Sequence, residues 1–233
     1  MASYKKSAET KKKILDASKK LFYEKGYKAT SCKEICELAD VNLGLIHYHF
    51  KTKKNIASII YANSLLEVKD LVRIKMNKIY RYYELKYGTA IENWVFMSGY
   101  LMDENYRRFF YEICQENVLV DERTDIIDFF YRLHVNIYNL DISPKEVKLI
   151  RVCVAAITMA LVEKHVENYL DLSIEELIEY KIRNLYKLMK LSDEDINDIV
   201  KTSYDMYQNL NIEFGKHFEI YRIESLTSKA FVI

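Results

Sequence analysis

The sequence predicts an all-α protein, a multi-helix bundle, on three observations. Five glycines and one proline in 233 residues are too few to punctuate a sheet and its turns. Apolar residues recur at helical spacing almost from end to end. A Ser or Thr followed three residues later by an acid recurs at the edges of those periodic segments, as capping boxes do. Half of the residues are hydrophobic and 30% are charged, which excludes a disordered chain.

The elements follow in order. Ile14, Ala17, Leu21 and Phe22 stand at i, i+3, i+7 and i+8, one face of a helix over 8–25 that Gly26 ends. Ser31 with Glu34 opens a short helix over 32–38. After a break at Asp40-Val41-Asn42, Asn42 is the N-cap of another over 43–49. Helices are then expected over 53–83 (with a possible break near Lys75), 90–103, 105–117, 122–139, 144–169, 174–189 and 193–209. Thr89 with Glu92, Ser143 with Glu146 (Pro144 at the first helical position), Ser173 with Glu176 and Ser192 with Asp195 mark four of the starts. The tail from Leu210 carries no clear pattern. Short connections place neighbouring helices side by side.

Residues 31–50 carry the chemistry. Ile35, Cys36, Val41, Ile46 and Phe50 supply an inward apolar face matching that of the first helix. Two short helices joined by a three-residue turn and braced by a preceding helix form a helix-turn-helix. The division expected is a helix-turn-helix DNA-binding domain over 1–52 and a helical domain over 53–233. The outward positions of the second short helix are Leu43, Gly44, His47 and Tyr48. Leu suits a thymine methyl, His hydrogen-bonds bases or phosphates, and Gly allows close approach.

Net charge first argues the other way. The chain carries 35 basic and 34 acidic residues, a balance of +1, where a nucleic-acid binder is usually basic. That average is a cancellation. Residues 1–60 hold 13 lysines against Glu9, Asp16, Glu24, Glu34, Glu37 and Asp40, a balance of +7, and the rest of the chain carries −6. Attraction to phosphate therefore coincides with the motif. Lys5, Lys6 and Lys11–Lys13 are candidates for an additional backbone-contacting arm.

Thr30-Ser31, Ile35-Cys36, Val41-Asn42, Gly44, Ile46 to Thr52, Lys53 and Ile56 together resemble the DNA-binding domain of the tetracycline-repressor (TetR) family, over roughly residues 8–60. The resemblance implies a cytoplasmic homodimer on a palindromic double-stranded operator. It makes the C-terminal domain, 53–233, the ligand-binding and dimerisation domain, where a small-molecule effector lowers DNA affinity. It further implies phosphate contacts from Thr30 and Ser31, a base-edge contact from Lys33, and base reading by Asn42, Leu43, Gly44 and Leu45. His47 stands where the family usually has Tyr, His49 where a phosphate-contacting residue is common, and Lys53 where a lysine meets the backbone. Asp40 replaces the usual turn Gly, and Cys36 replaces Ala. No Arg precedes Arg73, which removes the commonest guanine reader.

In the helical body no motif names the effector. Dense aromatic and polar positions on the central helices make Trp94, Met97, Tyr100, Phe110, Tyr111, Cys114, Phe130, His134 and Met159 the candidate pocket. The resemblance implies a dimer seam from two late helices, and 144–169 and 174–189 fit by length. Val152, Ala155, Ala156, Met159 and Ala160 offer a small-residue face there. No GxGxxG, P-loop or HExxH occurs, so no enzyme and no cofactor is expected. Cys32 and Cys36 stand i, i+4, but no His or second Cys pair completes a site, so no metal is expected. Met1–Lys13 lacks an apolar core for a secretory signal, and no apolar run is long enough to span a bilayer, so no membrane partner is expected. An activator or ligand-independent regulator, a metal or redox sensor and a helical interaction protein are the alternative readings.

Overall fold

A computed structural model describes residues 2–121, 125–210 and 212–222. Its helices are α1 (Ala2–Lys25), α2 (Cys32–Ala39), α3 (Leu43–Phe50), α4 (Lys53–Tyr80), α5 (Leu85–Met102), α6 (Glu104–Gln115), α7 (Val118–Asp121), α8 (Asp125–Ile137), α9 (Pro144–Val166), α10 (Ile174–Leu188) and α11 (Asp193–Tyr207). A hairpin follows, with β1 (Ile212–Phe214) antiparallel to β2 (Ile220–Arg222) and Phe214 opposite Ile220.

Ser31, Ser143 and Ser173 each make a reciprocal capping box with the Glu three residues on, and Ser192 accepts from the Asp195 amide. The box expected at Thr89 and Glu92 does not exist. α5 starts at Leu85, because the Glu84 carbonyl already accepts from the Gly88 amide. Thr89 and Glu92 therefore lie inside the helix, and the Glu92 carboxylate pairs with Lys69. α4 runs without the break considered near Lys75. The chain is helical from Ala2, so the lysines expected to form an arm stand on α1, with Lys6 and Lys11–Lys13 exposed. The segment read as 122–139 corresponds to α8, Asp125–Ile137, with positions 122–124 outside the described residues, and the short α7, Val118–Asp121, precedes it unexpected.

α5 is the central strut, packed on α4, α6, α10 and α11. α9 lies across α6, α8 and α10, and α1 packs on α2, α4 and α6. The hairpin closes over the junction between α1 and the body. Phe218, 1% exposed, has its ring centre 4.6 Å from that of Phe109, tilted, and 5.0 Å from that of Tyr106, edge to face. The Tyr106 hydroxyl donates to the Gly215 carbonyl at 2.9 Å, and His217 Nε2 meets Glu24 at 3.1 Å. The hairpin thus touches α1 and α6 together.

Candidate nucleic-acid interface and effector cavity

The turn between α2 and α3 is set by Asp40, which closes α2 in the left-handed region at φ 53° and ψ 54°. Asp tolerates that geometry because its short polar side chain bonds locally. Ile35, Cys36, Ile46 and Phe50 are buried against Ile14 and Phe22, which fixes the rotation of α3 about its axis. Asn42, Leu43, Gly44, His47 and Tyr48 consequently face out, Leu43 at 52% and Tyr48 at 70% exposure. Leu43 and Tyr48 thus stand in solvent on one short helix, available to a partner surface. Lys33 is exposed beside them and loosely paired with Glu37 at 3.8 Å. Ser31 is exposed, though its hydroxyl is committed to Glu34. Leu45 and His49 are half-buried, with Leu45 packed on the core.

Two of the positions named for phosphate contact point inward. Thr30 is 1% exposed and its hydroxyl donates to the Gly26 carbonyl at 2.7 Å, which ties the loop after α1 shut. Lys53 donates to the Tyr27 and Thr30 carbonyls at 2.8 and 2.7 Å and lies 4.3 Å from the centre of the Tyr27 ring. Burial draws its ammonium below the usual lysine range. The α1–α2 loop leaves carbonyls facing the start of α4, and Lys53 satisfies them; both side chains brace the motif from within.

The same loop is gripped from the body. Gly26 has φ +92°, open to glycine, and a Cβ there would meet the Glu112 carboxylate at 2.9 Å. Glu112 accepts from the Lys28 amide at 2.8 Å, and Arg108 donates to the Tyr23 carbonyl at 2.7 Å. α6 therefore holds the C-terminal end of α1.

Within the body, α4, α5, α7, α8, α9 and α10 line a partly open cavity of about 170 Å³. Tyr61, Phe96, Phe130 and Tyr131 supply its rings, and Lys69, Glu92, Asn93, Arg151, Lys181 and His134 its polar groups. Of the nine residues expected to line a pocket, Phe130 and His134 do so; the other seven do not. Trp94 turns to α11, where its Nε1 donates to Ser203 Oγ at 3.1 Å. Tyr100, Phe110, Met97 and Cys114 are core, and Met159 packs with them. Tyr111 lies toward the outside, its hydroxyl donating to Glu167 at 3.3 Å. Aromatic density marks helices that pack and does not say which side of them encloses space.

What sequence reasoning missed are charges set in apolar faces. Lys181 sits among Leu177, Ile178, Ile182 and Leu185, all buried, and Glu92 among Thr89, Val95 and Phe96. A charge at the inward phase of a helix is the signal that finds this cavity.

Burial pushes the His134 imidazole down to about 4 from 6.5, so it is neutral near pH 7. The unfolded chain takes up its proton first as pH falls. Stability is full above pH 6.5 and declines between 6.5 and 4, by on the order of 3 kcal/mol from this group. A His134→Gln variant should flatten that part of the acid limb in denaturant titrations at stepped pH. An unchanged limb would remove His134 from the account.

Residues 14–58 match the family described as "Bacterial regulatory proteins, tetR family". They are a TetR-family segment. The match encloses α2, the turn, α3 and the start of α4, so the name rests on the elements that carry the outward face. The chain is 30% identical over 96 residues to the HTH-type transcriptional regulator QacR of Staphylococcus aureus, covering 41% of this chain and 47% of that protein. It is 38% identical over 63 residues to the regulator AcrR of Shigella flexneri, covering 27% of this chain and 29% of that protein. The chain thus spans less than half the length of these curated relatives. Beyond the TetR-family segment the likeness is one of fold. RolR in complex with resorcinol superposes with a TM-score of 0.60 at 13% identity, over 84% of this chain and 95% of RolR. RolR without ligand gives a TM-score of 0.54. Among the described residues no helix is long and apolar enough to cross a membrane.

Proposed function

We propose that the protein is a cytoplasmic, dimeric transcriptional repressor that leaves a palindromic operator when a small molecule fills the body cavity. The observation that carries this is the outward face of α3, where Leu43, Gly44, His47 and Tyr48 are exposed on the basic part of the chain. In this reading residues 1–52 are the DNA-binding domain and 53–233 the effector and dimerisation domain. Asn42, Leu43, Gly44 and His47 read bases, with Tyr48, His49, Lys33 and Ser31 at their flanks. Thr30 and Lys53 serve by holding the loop that positions α2.

Dimerisation is assigned to α9 and α10. Leu149, Val152, Cys153, Ala156 and Ala160 are exposed along one side of α9, at spacings of three and four, and Tyr180 is exposed on α10. Of the small-residue face expected there, Ala155 instead lines the cavity and Met159 is buried.

A contiguous route links cavity to reading head. Tyr61 and Phe96 line the cavity, and each has its ring centre 5.8 Å from that of Phe110 on α6. α6 grips the end of α1 through Arg108 and Glu112. An occupant that shifts Phe110 changes the tilt of α1 and so the separation of the two α3 helices. That separation must match one helical turn of DNA, about 34 Å. A Glu112→Ala variant should keep DNA affinity within about threefold while losing most of the effector-driven release, a coupling of roughly 1–3 kcal/mol. Anisotropy of labelled operator, with and without effector, reads both. Full release in the variant would cut α6 out of the route.

The proposal as a whole is tested by a mobility shift on the DNA upstream of the protein's own gene. A specific complex that weakens steeply with salt is expected. A folded dimer giving no specific complex at low salt would end the reading.

A further inference from the structure

Three cations line the cavity, and their partners differ. Lys69 pairs with Glu92, whose other oxygen accepts from the Tyr83 hydroxyl at 3.4 Å. Arg151 meets Asp128 at 3.1 Å. Lys181 donates to the amide oxygen of Asn93, and among the described residues no carboxylate pairs with it. With Asp128 counted behind Arg151, these groups carry one surplus positive charge. A cationic occupant would meet that surplus with Glu92 already neutralised, whereas a monoanion would complete it.

Size and lining restrict the rest of the occupant. About 170 Å³ is close to the roughly 150 Å³ of an engineered apolar cavity that holds benzene. Phe96, Phe130 and Tyr131 offer ring faces and edges to such a molecule. His134 adds a polar requirement. Its Nδ1 donates to the Phe130 carbonyl at 2.9 Å, which leaves Nε2 as an acceptor, buried and without a partner among the described residues. Thr89 Oγ1 on the same lining is buried and likewise has no partner among the described residues. Groups of this kind call for a ligand with a matching donor.

Resting on the effector-cavity reading above and narrowing it, we infer that the cavity takes a single-ring aromatic carboxylate bearing a hydroxyl group. The carboxylate pairs with Lys181, the ring lies among Phe96, Phe130 and Tyr131, and the hydroxyl donates to His134 Nε2. Burial alone draws the Lys181 ammonium down to about 8, so the group is still mostly charged near pH 7 and ready to take an anion.

Calorimetric titration with benzoate, benzamide and 3-hydroxybenzoate tests this on the full chain. Benzoate should bind wild type at least about tenfold more tightly than benzamide, its neutral counterpart of the same shape. 3-Hydroxybenzoate should bind more tightly than benzoate. Lys181→Met should abolish the preference for benzoate over benzamide, and the melting temperature shows whether that variant folds. The comparison of benzoate with benzamide on wild type needs no variant, so it decides even if Lys181→Met does not fold. Benzamide binding wild type as well as benzoate, or Lys181→Met keeping the preference, would overturn the anion assignment and leave the effector cavity standing. None of the three binding wild type, with Ala155→Phe across the cavity changing no operator release by any effector, would overturn the cavity reading too.

Discussion

Gly44→Glu should lower specific DNA affinity by about 100-fold, close to 2.7 kcal/mol, with the fold unchanged. Gly44 is exposed in the first turn of α3, and a Cβ added there meets only Asn42 Oδ1, at 3.3 Å. The backbone has no need of glycine at this point, in contrast to Gly26 at φ +92°. A carboxylate in the first turn of a helix is favoured by the helix dipole, so stability is kept or slightly raised. Against a DNA groove the same carboxylate blocks close approach and repels phosphate. Anisotropy with labelled operator measures the loss, and a thermal melt checks the fold. Wild-type affinity in a folded variant would mean that α3 does not enter the groove.

Phe218→Ala is expected to cost about 3–5 kcal/mol of stability, or roughly 10 °C in melting temperature for a chain of this size. The ring is 1% exposed and is enclosed by Phe109, Tyr106, Tyr100 and Tyr23. Tyr23 belongs to α1 and Phe109 to α6, so the cavity opens at the junction of the reading head with the body. Hydrogen exchange should speed up at the end of α1 as well as in the hairpin, because both lose the same neighbour. A loss below about 1 kcal/mol would show that the site collapses around the smaller side chain, and that the hairpin is not a structural clasp.

The helix-turn-helix was legible because each local signal agreed with the next. The Ser31–Glu34 box, the Asp40 turn and the apolar spacing of Ile35, Cys36, Ile46 and Phe50 all lead to one register, and the fold adopts it. The inward turn of Thr30 and Lys53 was not legible. A motif places a residue in a loop, but the Tyr27 and Thr30 carbonyls that capture Lys53 come together only when α1, the loop and α4 meet. Thr89 and Glu92 imitate a capping box, yet Gly88 already bonds back to Glu84, and Glu92 is the partner of a lysine on α4. Little of the cavity was legible. Phe130 and His134 were named, while Glu92 was read as half of a capping box and Lys181 passed unnoticed among apolar neighbours because charges are usually read as solvated. The hairpin is too short for period-two alternation to register, since β1 and β2 have three residues each.

In the proposed function α3, presented twice by a dimer, reads a specific palindrome. Selection of binding sites from a random duplex pool measures this most directly. Wild-type protein should enrich a palindrome with half-site centres about one helical turn apart, and Gly44→Glu should enrich none. Contradiction would come from a folded dimer that enriches no motif, or from Gly44→Glu enriching the wild-type motif undiminished.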